Sequence, residues 1–544
     1  MERRQKWFLL GSLLITMFLG ALDQTVVSTA IPKVVADLEG FSLLSWLFTS
    51  YMLTSTVIVP LAGKMGDLYG RKYILMGGVL IFIVGSALCG AAPSMALLIA
   101  FRAFQGLGGG MIFASVFATL GDAFSPAERG KYIGLFTGTF GLASISGPTL
   151  GGFITDNLGW RWIFYLNIPV AMIALPALWY NIPSVKNVRK VRLDIAGSFL
   201  LTVASVLLLL GFVWAGDKYA WGSTQIISLL LGSAVATALF IAWELHHPEP
   251  VIPLGLFKNR VFLMANLVGF TFGLGVFGAF QYLGIFVQTA LGASATASGV
   301  ITTPQSVATV LTSIMGGQII SRYGRYKWQI VGGTLCIAAA MAMLRTLTVD
   351  TPRWHISAFV VVLGLGFGIV MPTISLVVQN AVSPQFIGVA TSSSQFFRQI
   401  GSVIGIAIFG AILTNVYTSQ FETEFTEADR ALVGPAIVAQ LEDPTIRLNE
   451  NAFARIEAQV DALPGGSEVL DRAKEAQALS VAKAVRWIYT GAFIATLFSI
   501  VFALALREVP LRRAAKGVTP APGATPGSPG TATSGSSPAG GASG

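Results

Sequence analysis

Charge is what this sequence has least of. Only 11% of its 544 residues are Asp, Glu, Lys or Arg, whereas 54% are hydrophobic and the mean hydropathy is +0.71. A soluble globular domain carries about 25% charged residues, so an ordinary water-soluble enzyme is excluded and lipid becomes the main solvent. Cysteine is nearly absent. Cys89 and Cys336 lie in separate apolar runs, which rules out a disulfide framework and leaves two small core residues. Of the three histidines, His246 and His247 are adjacent in a loop and lack the spacing of ligands around one metal, so no metal site is expected. No glycine-rich loop ends in Lys-Ser/Thr. Gly106, Gly108, Gly109 and Gly110 sit inside an apolar run and read as helix packing rather than a phosphate cradle. No loop holds a spaced catalytic constellation, so the chain is not expected to be an enzyme. It needs no cofactor, and its energy source would be an ion gradient.

Long apolar runs take the place of what is missing. A bilayer core of roughly 30 Å needs about 20 apolar residues per crossing. Fourteen runs qualify: 7–31, 45–63, 73–92, 95–121, 131–155, 163–181, 193–215, 224–243, 261–289, 297–320, 328–347, 355–380, 386–417 and 485–506. The first is too long for a signal peptide and shows no clear cleavage site, so it reads as a retained span. An even count puts both termini on one side. Twenty-one of the 35 Lys and Arg fall at alternate ends of these runs, from Arg3, Arg4 and Lys6 to Arg507, Arg512 and Lys516. The opposite ends hold only Lys33, Arg161, Lys218, Arg345 and Arg353 outside the last loop. Basic residues stay inside, so both termini are expected in the cytoplasm of a multi-pass plasma-membrane protein. That bias, and not nucleic acid, accounts for the net charge of +9.

The expected organisation is all-α. Residues 1–185 form a six-helix half, 186–250 an inserted helix pair, and 251–417 with 485–510 a second six-helix half. Residues 418–484 carry 12 of the 26 acids. Helix-like spacing at 422–441, 449–462 and 467–484, broken at Pro444 and at Pro464-Gly465-Gly466, predicts a small helical outer domain that could meet a partner. The tail 511–544, nearly all Gly, Ala, Pro, Ser and Thr beyond Gly517, is expected to be disordered.

A repeat links the halves. Gly63-Lys-Met-Gly-Asp67-Leu-Tyr-Gly70-Arg71-Lys72 and Gly317-Gln-Ile-Ile-Ser321-Arg-Tyr-Gly324-Arg325-Tyr326 share Gly, Tyr, Gly and Arg at the same offsets. Internal repeats with a site between them mark secondary transporters. The second copy has Ser321 in place of Asp67, so an acid-dependent latch belongs to the first half. Further motifs stand in order along the first six spans. They are Leu22-Asp23-Gln24-Thr25-Val26-Val27 with Ala30-Ile31-Pro32, then Arg102-Ala-Phe-Gln105-Gly106-Leu-Gly108, then Gly147-Pro148-Thr-Leu-Gly151-Gly152. Trp160-Arg161-Trp162 with Asn167 and Pro169 follows.

Together these residues resemble the major facilitator superfamily, and within it the fourteen-span drug:proton antiporters of EmrB/QacA type. The resemblance covers the fourteen spans but neither the acidic loop nor the tail. One departure is Ala143, where the family usually has glycine four residues before Gly147. The resemblance implies alternating access and multidrug efflux. It also implies that the span-one acid couples protons, that the loop Gly63, Asp67, Gly70, Arg71 latches the halves on the inside, and that Gly147, Pro148, Gly151 and Gly152 control leak between states.

The residues support a similar reading on their own. Asp23 is the one acid deep within a span, and an ionised carboxylate there must be paired, hydrated or protonated. At about 1.5 Å per residue, Asp23 in span one and Arg102 in span four reach similar depths. A coupled pair follows, in which protonation of Asp23 releases Arg102. The Gly-Pro-x-x-Gly-Gly stretch combines a bend with close helix approach, which suits a contact at the junction of the halves. Arg398, near mid-membrane in span thirteen, has no acid at its depth in its half. With Gln24, Thr25, Gln281, Tyr282, Gln305 and Gln395 it forms a set that could line a central cavity. The cargo would be hydrophobic or amphipathic, carried by a monomer; the alternative is export of a native lipid or metabolite.

Overall fold

The computed structural model describes residues 3–38, 43–183, 193–216, 218–448 and 450–509. The predicted tail 511–544 and the boundary near 185 lie outside them. Within hydrocarbon every backbone group must be satisfied inside its own segment, which selects helices. The chain forms α1 (Arg3–Leu38), α2 (Leu44–Tyr69), α3 (Arg71–Gly90), α4 (Met95–Ala123), α5 (Pro126–Asn157), α6 (Arg161–Tyr165) and α7 (Asn167–Asn181). A pair follows, α8 (Ile195–Trp214) and α9 (Thr224–Glu244). Then come α10 (Arg260–Phe272), α11 (Gly278–Ile285), α12 (Ala295–Tyr323), α13 (Lys327–Leu344), α14 (Arg353–Asn380) and α15 (Ile387–Glu424). The short α16 (Glu427–Val433), α17 (Pro435–Leu441) and α18 (Glu450–Asp461) precede α19 (Gly466–Ala505). Side-chain caps start several of them: Ser94, Ser223 and Ser294 each accept from the backbone N–H three residues on, and Asp194 does so from Gly197.

Twelve of these helical segments are long and apolar enough to cross a membrane. Each of the fourteen predicted ranges is largely helical. The two below that apolarity, 131–155 and 297–320, fall in α5 and α12, of 32 and 29 residues. The run predicted at 261–289 is α10 and α11 joined by a π-turn, Gly273–Phe277, and followed by another, Phe286–Ala290.

α1 packs on α5, and α4 on α2 and α3; likewise α14 packs on α12 and α13, and α15 on α19. These two groups meet along two seams, α2 with α15 and α5 with α12. α8 and α9 pack on each other, and α8 lies against the α2–α15 seam, with Leu201 joining Val59 and Phe396, and Leu209 joining Val57 and Val403.

One face gathers the basic turns. Lys6 pairs with Glu128 at 2.9 Å, joining the starts of α1 and α5, and Arg71 Nε pairs with Asp122 at 2.8 Å, joining α3 to the end of α4. The Tyr326 hydroxyl donates to the Arg507 carbonyl at 3.0 Å, joining α13 to the end of α19. Both ends of the described chain therefore lie on this basic face.

The opposite face carries the acidic segment. It does not form the single helix predicted for 422–441. α15 continues to Glu424, Thr426 caps α16 through Asp429, and Gly434 at φ +79° followed by Pro435 breaks α16 from α17. The Tyr417 hydroxyl and the Gln477 amide both donate to the Leu441 carbonyl, tying α17 to the extended α15 and α19. Arg472 pairs with Asp429 at 2.6 Å, and its hydrogen bonds hold that carboxyl below the usual range. Arg447 donates to the Thr289 carbonyl, and burial pulls its guanidinium down.

Candidate functional site

Asp23 lies in α1 with only 2% of its surface exposed. Its Oδ2 accepts from Arg102 Nη1 at 2.7 Å. Its Oδ1 accepts from Gln105 Nε2 at 3.0 Å and from Asn167 Nδ2 at 2.9 Å. Arg102 also donates to Gln105 Oε1 at 2.8 Å, and its guanidinium lies 4.4 Å from the Tyr51 ring centroid. Asn167 donates in turn to Ser86 Oγ, which donates to the Phe164 carbonyl. The carboxylate is thus matched by one cation and two amides. Such a pair is stable only while intact, because removing one member of a buried pair costs about 3–5 kcal/mol. A proton reaching Asp23 cancels the charge that holds Arg102, and this is the chemistry the site can perform.

The paired depths of Asp23 and Arg102 were readable from the sequence. Gln105 and Asn167 stand in quoted motifs, but their contact with Asp23 was missed. Gln105 follows Arg102 by three residues and so shares its face of α4, a usable signal. Asn167 starts a different helix, and spacing alone says nothing of where it points.

The first repeat copy crosses between the groups. Gly70 has φ +97° and Gly324 φ +71°, so the repeated glycine supplies the left-handed turn that other residues resist. Arg71 is anchored three ways: to Asp122, to Asp67, and at 3.2 Å to the Gly63 carbonyl. Asp67 Oδ2 accepts the Val389 N–H at 2.8 Å, in the first turn of α15. Helix N-termini leave unsatisfied N–H groups and favour negative charge, so Asp67 caps a helix of the other group. A side chain at Gly63 would strike Ser392 and the Gly388 carbonyl.

Gly147 sits against Thr25, two residues from Asp23, and the Thr25 hydroxyl donates to the Ala143 carbonyl at 3.0 Å. The motif's close approach is therefore to α1, within its own group, and not at the junction of the halves as its composition suggested. Gly151 is buried, nothing lies within 4 Å of a Cβ added at Gly152, and Pro148 lies in the same helix. The seam contact of α5 lies nearer the basic face. There Gly130 meets Gly317, and Gly134 accepts from Ser313 Oγ at 3.0 Å. Small residues at these points let the backbones touch.

Further hydrogen bonds between the groups lie toward that end: Gln379 Nε2 donates to the Phe117 carbonyl and Gln395 Nε2 to the Phe113 carbonyl. Toward the acidic face Leu150 and Val300 are exposed, and an added Cβ at Gly299 meets nothing within 4 Å. The groups are closed at the basic face and apart beyond it. Of the proposed cavity set, Gln24 and Gln281 are exposed, and Thr25 and Arg398 are partly so. Tyr282 is buried, donating to the Ile406 carbonyl at 2.6 Å. Gln395 spans the groups, and Gln305 is buried with its carbonyl against Gly364. His247 stacks on Trp243, 3.6 Å from Asp194. Cys89 is buried and Cys336 half-buried, both free thiols.

A family model described as Major Facilitator Superfamily matches residues 13–406. The multidrug transporter protein MdtP of Bacillus subtilis (strain 168) is 43% identical over 412 residues, 76% of this chain and 76% of its own length. Multidrug resistance protein 3 of the same strain is 36% identical over 421 residues, covering 77% of this chain and 82% of that protein. Among solved structures, the human organic anion transporter MFSD10 (TETRAN) matches 91% of this chain and 100% of its own with a TM-score of 0.57. At 13% identity this likeness is one of fold alone. With the family model spanning most of its length and efflux proteins among its relatives, the chain belongs to the major facilitator superfamily of membrane transporters.

Proposed function

We propose that the chain is a proton-coupled exporter of hydrophobic or amphipathic small molecules, a multidrug antiporter of the fourteen-span type in the plasma membrane. In this reading α5 and α12 cross the membrane with the twelve more apolar helices. The basic face is cytoplasmic, so the described state is open outward and latched inside by Asp67 and Arg71, and the acidic cap is extracytoplasmic. The observation that carries the reading is the buried Asp23–Arg102 pair with its two amide partners. The multidrug names of two relatives support the cargo class.

The cycle follows from the residues. Proton entry from outside neutralises Asp23 and frees Arg102, Gln105 and Asn167 to re-pair. The first group can then turn against the second, breaking the Asp67–Val389 contact and opening the inner side. Substrate entry and proton release there restore the pair. One charge crossing 100 mV yields about 2.3 kcal/mol. At roughly 150 mV one proton could support a gradient of a few hundredfold for a neutral cargo.

The test is dye export from proteoliposomes under an imposed pH gradient, wild type against Asp23→Asn. Gradient-driven transport that the variant loses is the expected result. Transport unchanged in the variant would discard Asp23 as the proton site. No dye movement by folded wild type would favour a native lipid or metabolite as cargo.

A further inference from the structure

In the second group a cation in the middle of a long helix is left unused by the mechanism above. Arg398 lies in the middle of α15, partly exposed, and among the described residues it has no hydrogen bond, ion pair or ring partner. The acids of its own group lie at the ends, at Asp350, in the 422–475 segment and at Glu508. The deep acid of the other group is occupied, since Asp23 is taken by Arg102, Gln105 and Asn167. An uncompensated guanidinium at membrane depth is costly and calls for a counter-charge. The described residues do not supply one.

The backbone around Arg398 is built to hold it in place. The π-turn Gly273–Phe277 lies against α15, and a side chain at Gly273 would strike the Arg398 carbonyl. A side chain at Gly401 would strike Phe270, and one at Gly405 would strike Leu274. π-turns within helices are frequent at functional sites. On the wheel of α15, Arg398 shares a face with Gln395 and Ser402, three and four residues away. Gln395 reaches across to the carbonyl of Phe113 in α4, a hydrogen bond between the groups. Arg398 stands one turn beyond it, at the floor of the gap. Beside it Gln395 Oε1 and Gln399 Oε1 are buried acceptors without donors.

We propose that Arg398 is the docking point for the carboxylate of an amphipathic anionic substrate, whose hydroxyl or amide N–H groups meet the two glutamine oxygens. A guanidinium fork matches a carboxylate in two parallel hydrogen bonds, and a lysine in its place keeps the charge but not the fork. This deepens the exporter reading by naming a substrate class, and it rests on that reading.

The probes are three dansyl amphiphiles with one apolar body, ending in a carboxylate, a primary amide or a quaternary ammonium. Binding is followed by fluorescence on the purified full chain in nanodiscs, and export in proteoliposomes. Wild type is expected to bind the carboxylate probe about ten- to a hundred-fold more tightly than the amide. Arg398→Gln is expected to erase that preference, and Arg398→Lys to keep part of it. The readout is a ratio within each variant, so a general loss of folded protein does not imitate it. Equal binding of the three probes by wild type, or a preference that survives in Arg398→Gln, overturns the proposal. Carboxylate binding that depends on Arg398, with no export of any probe by wild type, would instead sink the exporter reading and leave the docking site standing.

Discussion

Asp23 and Arg102 can each be tested against the other. Arg102→Met leaves the carboxylate buried with two amides and no cation. The expected loss is about 3–5 kcal/mol of folded stability, read by denaturation of the purified protein. Combining Arg102→Met with Asp23→Asn is expected to recover most of it, because no charge is then left unmatched. Both residues were legible in the sequence, since an acid inside an apolar run must be paired, hydrated or protonated and helix rise puts Arg102 at its depth. The cavity set was less so. Gln24, Gln281 and Arg398 are accessible, but Tyr282 is consumed by the Ile406 carbonyl, and the Gln395 amide nitrogen, though not its oxygen, by that of Phe113. Polarity within an apolar run shows that a group needs a partner, not whether that partner is a ligand or a neighbouring backbone.

At the scale of helices, the repeat explains why only one copy has an acid. Gly63 and Gly317 play matching parts, each in contact with the first turns of a helix in the other group. α15 begins without a side-chain cap of its own and receives one from Asp67. α5 caps itself through Ser125 and Glu128, so the second copy has no N-terminus to serve and Ser321 suffices. Gly63→Val would force its side chain into Ser392 and the Gly388 carbonyl. Overpacking of this kind costs about 1–3 kcal/mol, so the ratio of states closed to states open at the basic face is expected to fall roughly five- to 150-fold. Spin-label distances between the ends of α2 and α15 check it. The acidic cap gives a pH prediction. The Arg472 bond lowers Asp429's folded pKa below its unfolded value, so its contribution is full above the unfolded carboxylate range. It is lost as pH falls through the folded pKa. Amide exchange in 427–433 is therefore expected to accelerate only under strongly acidic conditions, and in Arg472→Leu at a higher pH than in wild type. The break within 422–441 was legible too: Thr426 with Asp429 is a capping pattern, and Gly434-Pro435 stops a helix.

For the whole molecule, the helix count turns on α5 and α12. Both are long, yet both fall below the apolarity of the other twelve because their seam is built of Gly, Ser and Thr. Hydropathy scores contact with lipid, whereas these residues serve contact with protein. α8 introduces an asymmetry that the two matching repeats do not contain. Its apolar contacts fall on the α2–α15 seam, and no apolar cluster joins α8 or α9 to α5 or α12 among the described residues. When the groups part, one seam slides beneath protein that is already packed. The other must exchange protein surface for acyl chains. In the exporter reading the cost of turnover would then depend on the bilayer chiefly at the α5–α12 flank, which would make the transporter a one-sided gauge of chain length and order. Turnover in vesicles of graded acyl length is expected to change with thickness, and substitutions at the exposed Leu150 or Val300 of the α5–α12 flank to alter that dependence more than substitutions on α9.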